Sequence, residues 1–194
     1  ISRMRSWPSR PEPDDMIILG IDPGLNATGY GIMETLPTHL RVLTAGDIRP
    51  PRQEPLARRL AFIHDALSEL IVRHHPDIAV LENIFTHHHH VTTATLMGHA
   101  RGVACLAAQE HGLRLAEYPP TQVKQSLTGN GHASKEQVAR MVGQWLGHAP
   151  ACRDARGAGR DETWSVDATD ALALAIVHAH ITAQRRNLPA GVAG

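Results

Sequence analysis

The sequence predicts a mixed α/β fold, a five-stranded sheet with helices on both faces. Three observations predict it. Three short apolar runs bounded by turn residues come first, one after another. The hydrophobic period then switches to a helical one. Two more short apolar runs follow, each preceded by a helical segment, which is the layout of parallel strands joined by crossover helices.

The first strand is predicted at 17–21, closed by the turn signal Asp22-Pro23-Gly24. Strands at 28–34 and 40–48, set off by Pro37 and Pro50, complete an antiparallel meander. Leu56, Leu60, Ile63, Leu67, Leu70 and Ile71 then recur at helical spacing until Pro76 stops the helix. Residues 77–82 form a strand of the buried kind, with Ile78, Val80 and Leu81. A helix rich in Ala and Gly spans 92–111 and ends at Gly112; a fifth strand, 113–118, is closed by Pro119-Pro120. Helices at 123–127 and 135–146 flank the loop Thr128-Gly129-Asn130-Gly131-His132, and a last helix covers 166–186. Residues 1–15, rich in Pro, Ser and charge, read as a disordered leader, with Met16 as an alternative start. One folded domain is expected over 16–186, carrying a mobile polar loop at 149–165, with a flexible tail at 187–194.

A chain of 194 residues with 42% hydrophobic residues buries a sizeable single core, which excludes a disordered protein. No run approaches the ~18 apolar residues a membrane helix needs, and the first fifteen residues lack a secretion signal. Two cysteines are too few for a disulfide framework, so a reducing cytoplasm is expected. The 19 basic and 19 acidic residues balance, which on its face speaks against a polyanionic partner.

Four carboxylates change that reading. Asp22 ends the first strand and Glu82 the fourth; as parallel neighbours, both emerge at the carboxyl edge, where open α/β sheets hold ligands. Ile78, Val80 and Glu82 share one side of their strand, so Glu82 continues an apolar row. Asp167 and Asp170 lie three apart on one helix face, and that stripe continues through Ala171, Leu174, Val177, His178 and Ile181, the core-facing set. Inward carboxylates require protonation or cations, because an unpaired buried charge is costly. The helix N-terminus offers only ~0.3–1 kcal/mol, too little for several charges. Oxygen-only ligands select Mg²⁺ or Mn²⁺, and two such ions about 3.5–4 Å apart form the clamp used in phosphodiester hydrolysis. Structural Ca²⁺ is the competing reading, although no EF-hand-like loop is present.

These residues carry a resemblance. Met16-Ile17-Ile18-Leu19-Gly20-Ile21-Asp22-Pro23-Gly24 with Thr28-Gly29-Tyr30-Gly31 resembles the opening signature of the RuvC family of Holliday-junction resolvases. Leu81-Glu82-Asn83-Ile84-Phe85 resembles its second acidic motif, and Asp167-Ala168-Thr169-Asp170-Ala171-Leu172-Ala173 its last. Gly98-His99-Ala100-Arg101-Gly102-Val103-Ala104 resembles the dimer helix; Glu117-Tyr118, Gln122-Val123-Lys124-Gln125 and Gly129-Asn130-Gly131 together resemble a basic DNA-contacting stretch. The motifs run in order from Met16 to about His180.

The resemblance implies a ribonuclease-H-like fold and a homodimeric, metal-dependent endodeoxyribonuclease. Such an enzyme nicks two strands of like polarity in four-way junction DNA, leaving 5′-phosphate and 3′-hydroxyl ends, and works with the RuvA–RuvB branch-migration complex. Carried over residue by residue, Asp22, Glu82, Asp167 and Asp170 are the catalytic, metal-binding set. Lys124 and Lys135, which are the only two lysines in the chain, match phosphate-contacting lysines, and Phe85 an aromatic that stacks on an unpaired base. Gly98 and Gly102 would lie at the dimer interface, and their spacing also suits internal helix packing. His87-His88-His89-His90 and the long stretch 149–166 depart from the family pattern.

The balanced charge is then a sum of two parts. Without the four acids the rest of the chain carries a surplus of four positive charges, and the leader, with three Arg and three acids, contributes none of it. The competing functions are a related nuclease acting on structured RNA, an actin-like ATP-binding protein, and a junction-binding module without catalysis. The second needs two such domains, for which 194 residues are too few.

Overall fold

The computed structural model describes residues 15–83, 91–147 and 164–187. Phe85, the histidine run, Cys152, most of the 149–165 loop, the leader up to residue 14 and the tail from residue 188 lie outside them.

Ten elements follow one another: β1 (Ile17–Asp22), β2 (Thr28–Thr35), β3 (Leu40–Ile48), α1 (Leu56–His74), β4 (Ile78–Glu82), α2 (Val91–Glu110), β5 (Arg114–Tyr118), α3 (Pro120–Thr128), α4 (Lys135–Trp145) and α5 (Val166–Asn187). The strands form one sheet in the order β3-β2-β1-β4-β5. β1 to β3 pair antiparallel, while β4 lies parallel to both β1 and β5. The predicted five-stranded mixed sheet, meander plus parallel pair, is the observed one.

β1 occupies the centre because its side chains are apolar on both sides, as a strand covered on both faces requires. Ile18 joins Met33 and Val80 in the core beneath α3, α4 and α5; Leu19 and Ile21 join Ile32 and Leu81 beneath α1 and α2. On α1, Ile63, Leu67 and Ile71 repeat every four residues and are the buried row. Its C-cap, His75, takes a left-handed conformation with φ 49°, directly before Pro76.

Two elements differ from the sequence reading for identifiable reasons. α3 begins at Pro120, three residues early, because a proline at the first helical position has the right φ and no N–H to waste. α5 is buried on every side from Ala171 to Val177, rather than along one stripe. The sheet covers one face and α3 and α4 the other, so Leu172 and Ile176 are as buried as the predicted row.

Candidate active site

Asp22 and Glu82 reach the same face of the sheet. Ile18 and Gly20 precede Asp22 on the side of β1 toward α5, Ile78 and Val80 precede Glu82 likewise, and the β1–β4 register ends at Ile21 opposite Leu81. The two carboxylates therefore stand side by side at the carboxyl edge. α5 brings the second pair. It lies unusually close to the sheet: a methyl group on Gly20 would come within 2.0 Å of the Ala171 carbonyl oxygen, and one on Gly29 within 2.0 Å of that of Asp167. Only residues without a side chain permit this approach. Ser165 caps the helix, its hydroxyl accepting from the Ala168 N–H at 3.0 Å and donating to the Asp47 carboxylate.

Asp22, Glu82 and Asp170 line one pocket of about 100 Å³ together with Lys124 from α3 and Lys135 from α4. Asp167 stands at the rim instead, 3.8 Å from Arg49, whose guanidinium also binds Asp47 at 2.6 Å. Three of the four predicted acids thus converge directly, and both predicted lysines share their pocket.

α4 starts with a capping box: Ser134 accepts from the Gln137 N–H, and the Gln137 side chain accepts from the Ser134 N–H. This fixes Lys135 at the first helical position. A cation is poorly placed at the positive end of a helix, and here the acids compensate, since Lys135 Nζ lies 3.3 Å from Asp170 Oδ2.

The electrostatics record the crowding. Burial, then Asp170, Glu82 and Asp167, push the Asp22 carboxyl up to about 7, with Lys135 opposing. Burial and Asp170 raise Glu82 against the pull of Lys135, Lys124 and Arg101. Burial and Asp47 raise Asp167, partly offset by Arg49. Asp170 and its neighbours hold the Lys135 ammonium above its usual range. Among the described residues no three acidic, His or Cys side chains already form a closed metal cage. The donor chemistry nonetheless suits hard divalent cations: every donor is oxygen, and the mutual repulsion is what such a cation relieves.

Gly98 and Gly102 on α2 have open space where a side chain would be, so neither packs internally among the described residues. Three features at the site went unread in the sequence. Gly20 and Gly29 as helix seats look like ordinary strand glycines. The Asp47–Ser165 cap joins segments over a hundred residues apart. Arg101 reaches from α2 to β4, and its only sequence signal was its place in the dimer-helix motif.

The family model described as crossover junction endodeoxyribonuclease RuvC matches residues 18–178. Proteins of that name from Azorhizobium caulinodans and Halorhodospira halophila are 41% and 44% identical, each over 84% of this chain and 89% of the relative. The fold matches T. thermophilus RuvC in complex with a Holliday junction substrate, with a TM-score of 0.75 and 33% identity over 88% of this chain and 96% of that one. The yeast mitochondrial resolvase Ydc2 shares the fold alone, with a TM-score of 0.62 at 11% identity. The chain belongs to the RuvC family of crossover junction endodeoxyribonucleases.

Proposed function

We propose that this chain resolves four-way DNA junctions by hydrolysing one phosphodiester in each of two strands of like polarity. The observation that carries this reading is the convergence of Asp22, Glu82 and Asp170 with Lys124 and Lys135 in one pocket of a RuvC-family nuclease. Asp22, Glu82, Asp167 and Asp170 are the catalytic, metal-binding set, with Asp167 turning in from the rim. Bound Mg²⁺ or Mn²⁺ supplies an activated water and stabilisation for the leaving oxygen.

The chain's own residues do the rest. Lys124 and Lys135 neutralise phosphates on either side of the pocket and hold the scissile group over the carboxylates. The water oxygen bonds to phosphorus as the bond to the 3′ oxygen breaks, leaving a 5′-phosphate and a 3′-hydroxyl. Phe85, close after Glu82 in sequence, stacks on a base freed at the crossover, a contact worth ~1–3 kcal/mol.

Two coordinated cuts call for two sites related by a two-fold axis. Gly98, Gly102 and Leu106 recur at four-residue spacing on α2, open or 51% exposed, and form the face on which two copies meet. Work beside the RuvA–RuvB complex in the cytoplasm is the partnership and place that membership of the family supports. Cleavage of a mobile four-way junction with mapped cut sites tests the reading, with Mg²⁺, with Mn²⁺ and with neither. Symmetric metal-dependent nicks support it; preference for structured RNA overturns it.

A further inference from the structure

Arg101 spans three elements. It leaves α2 between the buried Ala100 and Ala104, and its side chain is only 14% exposed. One guanidinium nitrogen donates to the backbone carbonyl of Glu82, and another donates to Glu117 Oε1 on β5 at 2.5 Å. Glu117 is the register partner of Leu81, so the two contacts bracket the last residues of β4.

Strand pairing fixes that end from one side only. The β1–β4 register stops at Ile21 and Leu81, one residue before Glu82. On the other side the ladder runs one step further, with the Asn83 N–H donating to the Tyr118 carbonyl at 2.8 Å. Glu82 must nevertheless hold its carboxylate beside Asp22 against their repulsion. A planar guanidinium with one prong on the Glu82 carbonyl and the other anchored on Glu117 sets the backbone from which that carboxylate projects.

We infer that Arg101 is a positioning residue for junction cleavage, acting through the Glu82 backbone without touching DNA. The inference rests on the proposed nuclease function. It predicts a split between binding and cleavage. Arg101→Ala should bind a four-way junction within about twofold of wild type yet cleave it about a hundredfold more slowly, the order of loss for a misplaced catalytic group. Arg101→Lys restores the charge without the fork and should recover about a tenfold portion of that loss. Glu117→Gln keeps the Glu82 contact and should stay within about threefold.

Binding by fluorescence anisotropy, single-turnover cleavage and hydrogen exchange of the Asn83 amide, which should quicken in Arg101→Ala, provide the readouts. If the wild type fails to cut junctions, the nuclease reading falls. If the wild type cuts and Arg101→Ala cuts equally fast, Arg101 has no positioning role. An equal loss of binding and cleavage in Arg101→Ala also overturns it, and Arg101→Lys and Glu117→Gln decide the matter if Arg101→Ala does not fold.

Discussion

Lys135 Nζ stands 3.3 Å from Asp170 Oδ2, a cation from the first turn of α4 laid against the acidic end of α5. The contact has two partners in prospect, since the same ammonium is mostly exposed and faces the pocket mouth. In the proposed mechanism, divalent ions held by the acids would free Lys135 for phosphate. Lys135→Ala should therefore weaken junction binding about uniformly across sequences and reduce the slope of log K against log salt by about one. Titrating binding between low and moderate salt checks this; an unchanged slope removes Lys135 from the DNA contacts.

Asp22 makes the metal-free protein pH-sensitive. Its carboxyl titrates near 7 in the fold against 3.8 in the free chain, so between those values the folded state holds a proton the unfolded chain has lost. Stability from this group is greatest at the acid end and declines as pH rises through about 4 to 7. Asp22→Asn removes that slope. Without metal its Tm should exceed wild type at pH 7.5 by at least ~2–4 °C, the equivalent of ~1 kcal/mol in a domain this size, and approach it near pH 4. Differential scanning fluorimetry across pH reads the difference directly.

The same substitution should abolish cleavage while sparing the fold. Asp22→Asn keeps the shape of the side chain and deletes the charge proposed to hold metal, so junction cleavage should fall about a thousandfold with junction binding retained in metal-free buffer. Residual metal-dependent nicking near the wild-type rate would place the chemistry elsewhere.

Gly29 sits where a side chain meets backbone. A methyl group there would come within 2.0 Å of the Asp167 carbonyl oxygen, and no rotamer change can relieve a clash with the main chain. Gly29→Ala should cost ~1–3 kcal/mol, the usual range for overpacking, and lower the Tm by several degrees. Cleavage should suffer beyond the stability loss, since the displaced turn carries Asp167.

Leu106 tests the two-copy reading. It is half exposed on the same helical row as Gly98 and Gly102. Leu106→Glu should shift the protein from dimer toward monomer at micromolar concentration by sedimentation velocity, with little change in circular dichroism. A wild type that sediments as a monomer at that concentration would remove the α2 face from consideration.

Much of this was legible because charge and period disagree at the right places. Asp22 and Glu82 end strands that are otherwise apolar, and a carboxylate that continues a buried row announces a site before any contact is known. The register that sets them side by side follows from parallel crossover. The depth of α5 was harder to see. A helix sandwiched between a sheet and two further helices has no polar face to give it a period, so its stripe looked narrower than its burial. The position of Asp167 at the rim depends on Asp47 and Arg49, distant in sequence, and no local pattern encodes that.

The glycines of β1 and β2 act as a gauge block. Because backbone rests on backbone at Gly20 and Gly29, the gap between helix and sheet has a floor that no repacking of larger side chains can alter. Two acids ride on one side of that gap and two on the other. Drift elsewhere in the core can therefore accumulate without changing the width of the acidic cleft, and the tolerance of the chemistry is separated from the tolerance of the fold.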